Sequence, residues 1–263
     1  VTLIIQEWNT MQIMPTGSVA VVTGASRGIG RAIAVGLAEF GYDVAILDLG
    51  AQRAALDETA AEVRAAGRKA FVHEFDVTSK PEIEAAVKAI LTEAGSIDVL
   101  VNNAGILKPS TLEDLSEQDW DAHFDVNAKG VLLMCQAVLP HMRSKKSGRI
   151  INIASIAGRQ GVATQGHYAA TKSTVITLTR VLAQEVGMDG ITVNAICPGI
   201  ILTEMGKNNL GSDEAIRHWE TVASLKRLGY PEDIIGPVRF FASNQSDFVT
   251  GQSLNVCGGI YFH

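Results

Sequence analysis

The chain has 263 residues, 47% of them hydrophobic, and a formal charge of -6. That length supports one large α/β domain, or two small ones, with a core that needs no covalent staples. The negative balance argues against nucleic-acid partners, which need a basic surface, and no apolar run reaches the roughly 18 residues of a membrane-spanning helix.

The start, VTLIIQEWNTMQIMPTGS, lacks the basic region and long apolar core of a signal peptide. Residues 1–17 are expected to be an N-terminal extension outside the fold. A repeating pattern begins at Val19. VAVVTG reads as a buried strand, GRAIAVGLAEFG as a helix ended by Gly41, and DVAILD as a second strand. AQRAALDETAAEVRAAG is an Ala-rich helix closed by Gly67. KAFVHEFDV is expected as a third strand. SKPEIEAAVKAILTEAG follows as a helix, with Ser79 as its cap and Pro81 in its first turn.

IDVLVNNAG then reads as a strand and SEQDWDAHFDVNAKGVLLMCQAVLPHM as one long helix. The basic run RSKKSGR, 143–149, is a solvated helix end. GRIINIAS is a strand, QGHYAATKSTVITLTRVLAQEV a helix, and ITVNAICPG a strand. A less regular segment, expected to carry substrate contacts, covers about 200–225. PEDIIGPVRFFAS is helical and GQSLNV is a last short strand. Apolar strands alternating with helices specify a parallel sheet covered on both faces. Seven of them fit a single doubly wound α/β domain over 18–263.

Ligands in this architecture bind beyond the carboxyl ends of the strands. TGASRGIG, 23–30, lies there, between the first strand and the first helix. Gly24, Gly28 and Gly30 allow a tight turn and a close approach of pyrophosphate to the backbone, with Ser26, Arg27 and Ile29 in the same loop. The second strand ends on Asp48, where a carboxylate accepts hydrogen bonds from ribose hydroxyls and repels a 2′-phosphate. NAD is therefore expected over NADP, although Arg27 offsets that repulsion in part.

Tyr168 and Lys172 are four residues apart, on one helix face. A free phenol titrates near 10, too high for a base at neutral pH. A neighbouring ammonium favours the phenolate, so Lys172 is expected to lower the Tyr168 pKa and to bind ribose. Ser155, after the fifth strand, is placed to hold a carbonyl oxygen. Asn103, Ala104 and Gly105 follow the fourth strand and are expected to line the cofactor wall. Pro198, Gly199, Ile201 and Thr203 follow the sixth, with Thr203 able to hold a carboxamide.

These ordered motifs resemble the short-chain dehydrogenase/reductase family over residues 19 to about 260. The resemblance implies a Rossmann-type fold and hydride transfer between NAD(H) and a secondary alcohol or ketone, without a metal. It implies Tyr168 as general acid/base, Lys172 as its activator and Ser155 as the group orienting the reacting oxygen. It implies Asn127 as a helix-shaping residue behind Lys172, and Asp76 with Val77 beside the adenine. It also implies a cytoplasmic homotetramer. The three separated cysteines, Cys135, Cys197 and Cys257, support neither a disulfide framework nor a zinc site, which suits a reducing compartment. Cys257 stands where the family usually has an acidic residue, and reads as a small buried side chain.

Substrate contacts are expected from Ile106 and Leu107, and from the polar Lys108, Ser155, Arg159, Gln160 and His167. Such donors select polyhydroxy or acidic molecules, unless Lys108, Arg159 and His167 sit at the rim or in subunit contacts. The leading expectation is a sugar, sugar-acid or polyol dehydrogenase. A 3-oxoacyl-thioester reductase is the alternative, disfavoured by Asp48 because that activity usually takes NADPH. A non-catalytic nucleotide sensor is a third reading, disfavoured by the intact Ser155, Tyr168, Lys172 and Asn127 set.

Overall fold

The computed structural model describes residues 17–262. The N-terminal extension lies outside the described residues, except for Gly17. A seven-stranded parallel sheet forms the centre, in the order β3-β2-β1-β4-β5-β6-β7. Its strands are β1 (Val19–Thr23), β2 (Asp43–Asp48), β3 (Ala70–Glu74), β4 (Val99–Asn102), β5 (Gly148–Ile153), β6 (Ile191–Pro198) and β7 (Ser253–Val256).

Alternate residues of each strand feed opposite faces, as a period of two requires. One face carries Val21, Leu47, Leu100 and Ile150 against α3 (Lys80–Ala94), α5 (Gly130–Lys145) and α7 (Gly166–Val186). The other carries Val22, Ile46, Val101 and Ile151 against α1 (Gly28–Glu39), α2 (Arg53–Ala65) and α10 (Ile235–Ala242). Burial on both faces explains why the strands read as unbroken apolar runs.

Four expectations are corrected. The third strand is shorter than KAFVHEFDV, because only Ala70–Glu74 finds a partner in β2. Ser79 occupies the cap position of α3, but its side chain makes no capping bond. The single long helix is divided: α4 (Glu117–Phe124) passes through a π-helical turn (Asp125–Lys129) into α5. That turn contains Asn127, and such turns are frequent at functional sites. The irregular segment after β6 holds two helices, α8 (Glu204–Leu210) and α9 (Asp213–Val222), capped by the Thr203 and Ser212 hydroxyls.

Polar side chains also cross the core. Asn102 on β4 donates to Asn152 on β5 at 2.9 Å, and Asn152 donates to Thr179 on α7 at 2.9 Å. All three are buried. Removing the middle member leaves two buried groups short of a partner. Asn152→Ala is therefore expected to lower unfolding free energy by about 2–4 kcal/mol, read from urea denaturation of both proteins.

Candidate active site

The strand order reverses between β1 and β4, and the chain diverges at their carboxyl ends. Side chains stitch the two ends together. The Thr23 hydroxyl oxygen accepts from the N–H groups of Asn103 and Ala104, both at 3.0 Å. The Asn103 amide donates to the carbonyls of Thr23 and Gly24, each at 3.0 Å. Within this packing a Cβ on Gly30 would lie 2.0 Å from the Gly24 carbonyl, and one on Gly24 would lie 2.8 Å from the Ala104 backbone. No larger residue fits either place.

A cleft of about 880 Å³ opens above this junction. Every residue expected to bind cofactor lines it. The phosphate loop contributes Gly24, Ser26, Arg27, Gly28, Ile29 and Gly30. Asp48, Asp76 and Val77 stand at one end, and Pro198, Gly199, Ile201 and Thr203 form the far wall. Asn103, Ala104, Gly105, Tyr168 and Lys172 complete it. The glycine cradle beneath the start of α1, with no side chain to obstruct it, fits the pyrophosphate of a nicotinamide dinucleotide.

Asp48 is fixed in the cleft. One carboxylate oxygen accepts from the Ser26 N–H at 3.2 Å and hydroxyl at 2.5 Å, and the other accepts from the Leu49 N–H at 2.8 Å. Arg27 is drawn off to Glu204 at 3.0 Å. Arg53, further along, pairs with Asp57 and Glu74. Asp76 accepts from the Thr78 N–H and hydroxyl at 2.8 Å, both on one carboxylate oxygen. Thr203 accepts from the Gly206 N–H at 3.0 Å, so its own O–H stays available to donate.

Ser155, Tyr168 and Lys172 meet at the other end. Ser155 follows β5 and accepts from the Ala157 N–H at 3.1 Å. The Lys172 ammonium donates to the Ile153 carbonyl at 2.8 Å and lies 5.7 Å from the centre of the Tyr168 ring. Asn127 does not line the cleft. Its amide grips the backbone of Ile106, accepting from the N–H at 2.8 Å and donating to the carbonyl at 2.9 Å.

The electrostatics correct one expectation. Burial pushes the Tyr168 phenol up to about 12, and the Ser155 hydroxyl beside it pulls the other way. Burial likewise pushes the Lys172 ammonium down to about 8. The ammonium does not overcome the loss of water around the phenol, so Tyr168 holds its proton at neutral pH in the free protein.

The substrate side also departs from the sequence reading. Gln160 and Ser155 line the cleft, but Lys108, Arg159 and His167 do not. The Lys108 ammonium turns out to Asp119 at 2.8 Å. Arg159 donates to the Ser253 carbonyl on β7. His167 is buried and faces the Lys108 carbonyl at 3.0 Å. Their places are taken by Ile106, Pro109, Val162, Met205 and Trp219. Ile106 and the segment carrying Met205 and Trp219 stand where the sequence placed substrate contacts; Pro109 and Val162 were missed, because apolar loop residues carry no mark of a ligand. Cys257, expected buried, is partly exposed and packs where a Cβ on Gly199 would stand.

Comparison with known proteins agrees with this geometry. A family model described as Enoyl-(Acyl carrier protein) reductase matches residues 24–261. The chain is 44% identical over 242 residues to the 3-oxoacyl-[acyl-carrier-protein] reductase FabG of Staphylococcus epidermidis, covering 92% of this chain and 98% of that protein. It is 40% identical over 252 residues to the protein of the same name from Vibrio cholerae, covering 93% and 98%. Among solved structures it is similar to levodione reductase, with a TM-score of 0.90 at 33% identity, over 94% of this chain and 98% of that one.

The burial of Lys172 has a measurable cost. The fall from 10.5 to about 8 is worth roughly 3 kcal/mol at 1.36 per pH unit. The penalty is complete below pH 8, where both folded and unfolded chains hold the proton, and is relieved as pH rises to 10.5. The bond to Ile153 returns about 1 kcal/mol. Lys172→Met is therefore expected to stabilise the free protein by about 1–2 kcal/mol near neutrality, with the gain fading in alkali. Denaturation of both proteins across that pH range checks it.

Proposed function

The chain belongs to the short-chain dehydrogenase/reductase family of oxidoreductases, and we propose that it reduces the 3-oxo group of an acyl thioester with NADH. The observation that carries the reading is the apolar substrate side of the cleft. Ile106, Leu107, Pro109, Val162 and Met205 have no strong donor or acceptor for a sugar's hydroxyls, and Trp219 has only its indole N–H. Of the polar residues beside them, Gln165 donates to Asn209 at 3.1 Å, and unpaired polar groups are costly to bury. An acyl chain suits that wall. The names of the 3-oxoacyl reductases that the chain resembles support the same class.

The proposed roles follow from position. A bound nicotinamide supplies the hydride chemistry. Ser155 donates to the substrate carbonyl oxygen and holds it beside Tyr168. Tyr168 holds the proton that oxygen must receive, since burial keeps the phenol protonated. The proton passes from the phenol to the oxygen as negative charge develops there, which completes the secondary alcohol when the carbonyl carbon gains a hydride. Lys172 then favours the resulting phenolate electrostatically and hydrogen-bonds the cofactor ribose. Asn127 fixes the wall opposite through Ile106. Asp48 receives ribose hydroxyls and disfavours a 2′-phosphate, with Arg27 engaged by Glu204.

The reading extends to assembly. Leu132 on α5 and Val181 on α7 are exposed apolar side chains, which suits the homotetramer expected from the family.

A nicotinamide-absorbance assay tests the proposal, with acetoacetyl-coenzyme A as the thioester probe and a panel of sugars, sugar acids and polyols beside it. The thioester should exceed every polyol by about 10²-fold or more in kcat/KM. Turnover of a polyol with none of the thioester would overturn the substrate class. NADH should be preferred to NADPH, and Asp48→Ala should narrow that preference. Tyr168→Phe keeps the ring without the transferable proton and should cost about 10²–10⁴-fold in kcat, with NADH binding kept.

A further inference from the structure

Residues 103–110 leave β4 outside any strand, and Ile106, Leu107 and Pro109 line the cleft. Side chains and one loop carbonyl, not a neighbouring strand, hold this segment's backbone. Asn127 holds both the N–H and the C=O of Ile106. Two residues on, Lys108 is held the same way by two histidines. Its N–H donates to Nε2 of His123 at 3.1 Å, and its C=O accepts from Nε2 of His167 at 3.0 Å. Two further on, the Ser110 N–H donates to the Thr164 carbonyl at 2.8 Å. The period of two is that of an extended chain pinned along one edge.

The pins come from two helices in register. His123 and Asn127 are four residues apart on α4 and its π-helical continuation. His167 and Thr171 are four apart on α7, and Asn127 donates to the Thr171 hydroxyl at 3.3 Å. The two imidazoles meet edge to face, 4.1 Å between centres at 86°. Both are buried. Tyr168 and Lys172 are the residues that follow His167 and Thr171, so the helix bearing the reactive pair also carries the pins.

We propose that His123 and His167 are positioning residues that clamp the backbone of Lys108, fix the substrate-side wall of the cleft, and release it in acid. Neutral His123 is required. Its Nδ1 lies 2.6 Å from the Asp119 carbonyl and so carries the hydrogen. Nε2 is then a bare acceptor for the Lys108 N–H. A second proton would set an N–H against an N–H. His167 must carry its hydrogen on Nε2, which faces a carbonyl, and its Nδ1 has no partner among the described residues.

The groups facing His123 are Asp119 from its own helix, Lys108 from the pinned segment and His167 from α7. Burial pushes His123 below its ordinary value; the Asp119 backbone opposes, and electrostatic interaction with His167 and Lys108 adds to the fall. An unfolded histidine takes its proton near pH 6.5. The clamp is therefore whole above that pH and opens as pH falls through the lower, folded value.

Hydrogen–deuterium exchange on the whole, substrate-free protein tests the clamp without reference to the proposed reaction. Protection of 105–110, corrected for intrinsic rates, is compared at about pH 7.5 and about pH 5, on either side of the histidine range. Wild type should lose about tenfold or more in acid, while the central strands keep theirs. His123→Gln places an amide near Nε2 that accepts from Lys108 but does not titrate, and should keep protection at both values. His123→Phe should be unprotected at both. A kinetic arm, which alone rests on the proposed reaction, should show KM for acetoacetyl-coenzyme A raised by about tenfold in His123→Phe with KM for NADH unchanged. Acid loss that persists in His123→Gln overturns the proposal. So does full protection in His123→Phe, and if that variant does not fold, the glutamine result decides alone.

Discussion

Everything in the cleft depends on how β1 and β4 part. They are hydrogen-bonded neighbours, with Val22 opposite Val101, yet the chain turns away from each in opposite directions. A crevice at that reversal is unavoidable, and its floor is backbone. Thr23 and Asn103 tie the floor shut with four hydrogen bonds. Because the tie runs through the Gly24 carbonyl, the first turn of α1 must pass within contact of it, and only glycine at 30 allows that. The phosphate cradle is thus a consequence of the strand junction.

The reactive end is built at a cost in stability. Lys172 is buried with a carbonyl oxygen as its hydrogen-bond partner and pairs with no carboxylate among the described residues. A carboxylate there would hold the ammonium more firmly and would also neutralise the charge that a phenolate needs. The protein keeps the charge bare and the site correspondingly strained, a trade between stability and activity that functional sites commonly make. Asn127 shows the opposite economy. Its amide is fully engaged with Ile106, and the π-helical turn that presents it interrupts an otherwise regular helix.

The sheet was legible in the sequence because strands buried on both faces leave no polar interruption to misread. The cofactor half was legible for a related reason. Gly24, Gly30 and Asp48 are residue types forced by close approach or by charge, and they fall at strand ends. The substrate half was legible only in part: Ser155, Gln160 and residues of the segment after β6 line the cleft as expected, and three polar residues do not. Lys108, Arg159 and His167 look like ligands for a polar substrate in a string of letters. Their side chains are long or planar enough to turn elsewhere, and Asp119, Ser253 and the Lys108 backbone take them. His123 gave no sign at all, since its partner is a backbone N–H far along the chain, and periodicity cannot report such a pairing. The π-helical turn was equally hidden, because its phase slip is a single residue in a long apolar pattern.

The protonation states set a direction for the chemistry. With the phenol near 12, Tyr168 rests as an acid, and a carbonyl arriving in the cleft meets a proton already in place. Oxidation of an alcohol must first remove that proton. A charged Lys172 lies 5.7 Å from the ring centre and favours the phenolate, but burial outweighs it. Lys172 itself loses charge above about 8, so its help fades as the pH approaches the value where the phenol would ionise. The two groups on their own therefore equip the site better for giving a proton at neutral pH than for taking one. Oxidation needs further positive charge close to the phenol, and among the described residues lining the cleft the only other cationic side chain, Arg27, is held by Glu204 at the phosphate loop.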